Sequence, residues 1–75
     1  MRYGLVLVTI EVASPKKIVE KIRSVEGVLD VYDAFSRFDI IVFIEAEDYY
    51  KLKDVAAEVA EIEGIKRTET LVHGD

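Results

Sequence analysis

The chain has 75 residues, 51% of them hydrophobic and 33% charged, with 15 acidic against 10 basic side chains and a formal net charge of −5. That is one small domain, apolar enough to fold and too charged for a membrane span; its longest apolar runs, such as Leu5 to Val8 and Ile40 to Ile44, fall far short of the ~18 residues a transmembrane helix needs. The acidic balance argues against a direct nucleic-acid partner, and the absence of cysteine removes disulfides, thiol catalysis and thiolate metal sites.

Residues 3 to 12 are dense in β-branched and apolar groups and read as a first strand. Ser14 as N-cap and Pro15 at the first helical position start a helix whose apolar stripe is Ile18, Ile22 and Val25, and Gly27 closes it. Residues 28 to 35 and 38 to 46 read as two strands joined by a tight connection at Ser36 and Arg37, the natural pattern of a hairpin. Asp48 caps a second helix carrying Leu52, Val55, Ala56, Val59 and Ile62 at spacings of three and four. Gly64 ends that helix, and residues 65 to 72 form the last strand.

The order is β-α-β-β-α-β, and the chain repeats itself. Val25-Glu26-Gly27-Val28 and Ile62-Glu63-Gly64-Ile65 are the same helix-to-strand junction, with the glycines 64 − 27 = 37 residues apart. Two equivalent halves predict an α+β, ferredoxin-like fold: an antiparallel sheet with strands 1 and 3 central, strands 2 and 4 at the edges, and both helices on one face. Such a sheet should alternate apolar and polar residues, yet Leu5 and Leu7 alternate with Val6, Val8 and Ile10, and Ile41 and Phe43 with Ile40, Val42 and Ile44. The helices cover one set. The second set is expected to meet another copy, giving a dimeric α+β sandwich or barrel; covering about five side chains at ~2 kcal/mol each is worth on the order of 10 kcal/mol, an upper estimate.

Little in the sequence points to catalysis. Ser14, Ser24 and Ser36 have no nearby histidine, the four glycines are isolated, and the single histidine, His73, stands near the chain end, so neither an enzyme nor a bound cofactor or metal is expected. No targeting peptide fits the first residues, so the expected location is the cytoplasm. Asn and Gln are absent while Glu, Lys, Val and Ile abound, a bias of heat-adapted proteins. In Phe35-Ser36-Arg37-Phe38-Asp39, a hairpin tip carries an arginine and an aspartate, which could take the carboxylate and ammonium of a free amino acid or simply pair with each other. Thr68 and Thr70, alternating with Arg67 and Glu69, read first as ordinary edge-strand residues.

The run Phe38-Asp39-Ile40-Ile41 through Asp48, the closing segment Ile62 to Leu71, the Val25-Glu26-Gly27-Val28 turn and Val31-Tyr32 together resemble the ligand-binding (RAM) domain of the Lrp/AsnC transcriptional regulators, across essentially the whole chain. The resemblance implies a ferredoxin-like domain that dimerises through its sheets, dimers that assemble into rings, and an amino-acid effector bound between dimers beside a G-x-Y/F-D hairpin. Ser36 stands where that motif has glycine, and Phe38 and Asp39 match its last two positions. Carried over, the ligand-binding residues are Ser36, Arg37, Phe38 and Asp39, with Asp39 meeting the effector's amino group and Thr68 and Thr70 bordering the pocket. The chain begins directly at strand 1, so it resembles the stand-alone RAM proteins: residues 1 to 75 form a single domain with no helix-turn-helix, a sensing and assembly module that co-assembles with full-length regulators. A purely structural oligomer without ligand, and less favourably a dimeric ferredoxin-like enzyme, are the alternatives.

Overall fold

The computed structural model describes residues 1–11, 15–34 and 37–73. Along the chain run β1 (Arg2–Ile10), α1 (Pro15–Arg23), β2 (Val28–Asp33), β3 (Ile40–Ala46), α2 (Tyr49–Ala60) and β4 (Ile65–Val72), in the expected β-α-β-β-α-β order. All neighbours in the sheet are antiparallel and the spatial order is β2-β3-β1-β4, with β1 and β3 central. Ile18 and Ile22 of α1 and Leu52, Ala56 and Val59 of α2 form one core with Val6, Val8, Val31, Ile40, Val42 and Ile44, so both helices lie on the same side of the sheet. This is the ferredoxin-like architecture.

The local signals explain most boundaries. Asp48 caps α2 by accepting the Lys51 amide at 2.8 Å, which satisfies one of the helix's orphan donors. The serine expected to cap α1, Ser14, lies outside the described residues. Gly27 and Gly64 both hold a positive φ, at 101° and 98°, and each repeat junction has the same closing bond: Val28 N donates to Val25 O and Ile65 N to Ile62 O, both at 3.2 Å. The helix α1 stops at Arg23, short of the expected Val25: Ser24 N is shared between Glu20 O and Lys21 O at 3.2 Å, and Val25 N closes on Ile22 O at 3.0 Å, so the last turn tightens to i−3 bonding.

The hairpin differs from the sequence reading. Instead of a two-residue connection at Ser36 and Arg37, β2 ends at Asp33 and β3 begins at Ile40. Regular pairing of β3 with β1 stops at Val8 and Ile40, just where β1 bulges between Thr9 and Ile10. Phe38 and Asp39 thus fall beyond the end of the ladder, and one further bond, from Ala34 N to Asp39 O at 3.0 Å, holds the connection closed.

The two faces of the sheet are unequal in cover although both are apolar. Val6, Val8, Val42 and Ile44 are sealed beneath the helices. On the opposite face Leu5 pairs with Phe43 and Leu71, and Leu7 and Tyr32 pair with Ile41. There Leu5, Leu7 and Ile41 are half-buried by their neighbours, while Phe43 is 39% exposed, Leu71 48% and Tyr32 52%.

Candidate functional site

The residues singled out at the hairpin sit at one end of the sheet. Ser36 lies outside the described residues; Arg37 is exposed and Phe38 half-buried. Asp39 is fixed by three bonds: its amide donates to Val8 O at 2.8 Å, its carbonyl accepts from Ala34, and its carboxylate Oδ2 accepts the Ile10 amide at 2.9 Å. Beyond the bulge Ile10 has no β3 residue opposite it, and the Asp39 carboxylate takes the place of the missing carbonyl. Its first partner is therefore the backbone of β1, and it forms no ion pair with Arg37.

Thr68 and Thr70 occupy a different setting. They lie on the helix side of β4, opposite the buried Val8 and Val6. With Tyr49, Lys53, Ala57 and Ala60 they line a groove of about 360 Å³ between β4 and α2. The groove exists because α2 turns alanines toward the edge strand, too small to reach it. Its polar end is Lys53, whose ammonium stands 5.7 Å from the centre of the Tyr49 ring. Through the register Thr68 is opposite Val8 and Val8 opposite Ile40, two strand spacings or about 10 Å across. Arg37, Phe38 and Asp39 do not line this groove.

A third cluster escaped the sequence reading. The Tyr32 hydroxyl donates to Asp30 Oδ2 at 2.6 Å, the Val31 amide to Asp30 Oδ1 at 2.9 Å, and Arg23 Nη1 lies 3.5 Å from Oδ1 while its Nη2 donates to Val31 O. The Tyr32 hydroxyl and the Val31 amide hold the Asp30 carboxyl below its ordinary value, and the same hydrogen bond raises the Tyr32 phenol. The i,i+2 spacing of Asp30 and Tyr32 on one strand face was the available signal. Tyr32 also meets Phe43 edge-to-face, with ring centres 5.4 Å apart.

Nothing in these clusters forms a nucleophile with its base: the Ser24 hydroxyl is spent on Lys21 O, and among the described residues no group of three or more His, Asp or Glu is placed to hold a metal ion. Among the described residues no helix is long and apolar enough to cross a membrane.

Comparison with known proteins agrees with the fold. The sequence model of the Lrp/AsnC ligand binding domain matches residues 4–73, and the chain belongs to that family, whose members are regulatory ligand-binding domains of transcription regulators. A comparison with curated protein sequences finds no match. Among solved structures, the chain is similar to a Thermus thermophilus protein at 26% identity and a TM-score of 0.91, covering 100% of this chain and 95% of that one. It shares its fold with a hypothetical protein of Pyrococcus horikoshii at 20% identity and a TM-score of 0.86, covering 97% and 89%. Escherichia coli AsnC has the same fold at 19% identity and a TM-score of 0.85; there the match covers 96% of this chain and 50% of the AsnC chain.

Proposed function

We propose that this chain is an oligomeric, amino-acid-sensing and assembly module of the Lrp/AsnC type. It acts in the cytoplasm in the control of transcription and amino-acid metabolism, through association with copies of itself and with full-length regulators rather than by binding DNA directly. The observation that carries the reading is the uncovered sheet face, where Leu5, Leu7, Tyr32, Ile41, Phe43 and Leu71 form one apolar surface rich in aromatic area. Two such faces packed together remove from water what the helices leave wet. Light scattering at micromolar concentration tests this: a dimer or larger particle is expected, and a stable, folded monomer overturns it.

The effector site in this reading lies between protomers, bordered by Ser36, Arg37, Phe38 and Asp39, with the Thr68 and Thr70 segment on its far side. An exposed arginine beside a carboxylate has the charges for both ends of a free amino acid. Thermal shift and calorimetry against the twenty amino acids are expected to give a response to at least one; silence from all of them leaves assembly alone.

That second reading, a purely structural oligomer, is favoured by one observation: Asp39 Oδ2 is already engaged by the Ile10 amide. Ligand density between dimers in a crystal would exclude it.

A further inference from the structure

The two edges of the sheet are finished differently. In an antiparallel ladder alternate residues bond a given neighbour, and those between them point their N–H and C=O the other way. On β2, Ala34 N bonds Asp39 O, so by alternation Val31 faces outward. Both of its outward groups are occupied, the N–H by Asp30 Oδ1 at 2.9 Å and the carbonyl by Arg23 Nη2 at 3.2 Å. A register irregularity between Val28 and Asp30 further bends that edge. β2 is thus obstructed at Val31, in the middle of its edge.

β4 is not. His73 N donates to Tyr3 O at 3.0 Å, in line with the pairing of Gly4 and Val72, so Arg67, Glu69 and Leu71 turn their backbone to β1 and Thr68, Thr70 and Val72 turn theirs outward. No side chain caps these groups among the described residues. β4 is also the longer edge, 8 residues against 6, and α2 leaves the groove open along its helix side.

We infer that β4 is a pairing edge for the β4 of a second copy, antiparallel about Thr68. The sequence Arg67-Thr68-Glu69 is self-complementary in that register: with Thr68 opposite Thr68 of the partner subunit, Arg67 stands opposite Glu69 of the partner subunit and Glu69 opposite the partner's Arg67. These are non-hydrogen-bonded pairs, where side chains approach most closely, and opposite charges there attract. A register centred on Glu69 would instead set two carboxylates face to face. Arg67 and Glu69 are exposed and form no ion pair within the described part of the chain, so both are available. Arg67 and Glu69 decide the register, and the outward amides and carbonyls supply the bonds.

The test measures particle mass by light scattering on the full chain, with circular dichroism as the control for folding. Arg67→Glu and Glu69→Arg, each placing like charges opposite each other, are expected to reduce the mass to about half, and the double swap Arg67→Glu/Glu69→Arg to restore it. Thr68→Pro deletes an outward N–H and spares the ladder to β1, and is expected to act like the single swaps. Phe43→Glu separates this contact from the face-to-face one: it removes the face contact and leaves two chains joined along β4. Unchanged mass in the folded single swaps overturns the inference, whether the edge is idle or reserved for a foreign strand, and so does a double swap that fails to restore it.

Discussion

Val55 packs so closely on the backbone of Gly27 that a Cβ built on the glycine would stand 2.6 Å from Val55 Cγ2 and 3.0 Å from Glu45 O. The α2 helix is thereby seated on the first repeat junction. Gly27 also holds a φ of 101°, where side chains are strained. Gly27→Ala combines both costs and is expected to lose about 2 to 4 kcal/mol in denaturant unfolding. Adding Val55→Ala removes the clash with Val55 and leaves the close approach to Glu45 O and the backbone strain, so the double variant should lose less than the sum of the two single losses.

Asp39 completes the hydrogen bonding of β1 whatever else it does. Asp39→Ala should cost about 1 kcal/mol without any ligand, the net worth of one hydrogen bond at an exposed site. Asp39→Asn keeps an acceptor for the Ile10 amide and should recover most of that loss. A ligand effect assigned to Asp39 is therefore read from the asparagine variant, by calorimetry.

The Asp30 and Tyr32 pair gives stability a dependence on pH at both ends. Asp30 is held low in the folded chain, so its contribution is full above the ordinary carboxylate range and is lost as pH falls through the lowered value. Tyr32 is held high, so its contribution is full below about pH 10 and is lost as pH rises through the raised value. Both groups are exposed, and the effect is modest. Asp30→Asn should flatten the acid limb of melting temperature against pH and bring the Tyr32 titration, followed by phenolate absorbance, back toward the ordinary value.

Leu52 is fully buried beneath the sheet, and in so small a core it has no substitute. Leu52→Ala should cost about 2 to 5 kcal/mol, enough to unfold much of the population at ordinary temperature. Asp48→Ala, removing the α2 cap, should cost about 1 kcal/mol in the same assay.

The elements were legible wherever a local signal was strong. Asp48 announced α2, the doubled Glu-Gly junction announced the two halves, and residues 65 to 72 carried their own β-branched pattern as β4. The unusual strand, apolar at Leu5 and Leu7 as well as at Val6 and Val8, showed in advance that one face would lack a cover. The hairpin was not legible, because its extent depends on where β1 stops pairing, and that is set by a bulge at Thr9 and Ile10 which no residue type announces. For the same reason Asp39 could be named as a candidate ligand group while its bond to Ile10 went unseen. Thr68 and Thr70 were placed correctly on β4, but their groove is made by the alanines of α2, a relation between distant segments.

Arg23 and Asp30 hold shut the margin of the sheet at Val31. A sheet open along both margins can recruit strands without end, which is how fibres grow. In the inferred pairing along β4, the margins left at either end are those of β2, each obstructed at Val31. Arg23 and Asp30 thus work against widening such a sheet beyond the eight strands of two copies.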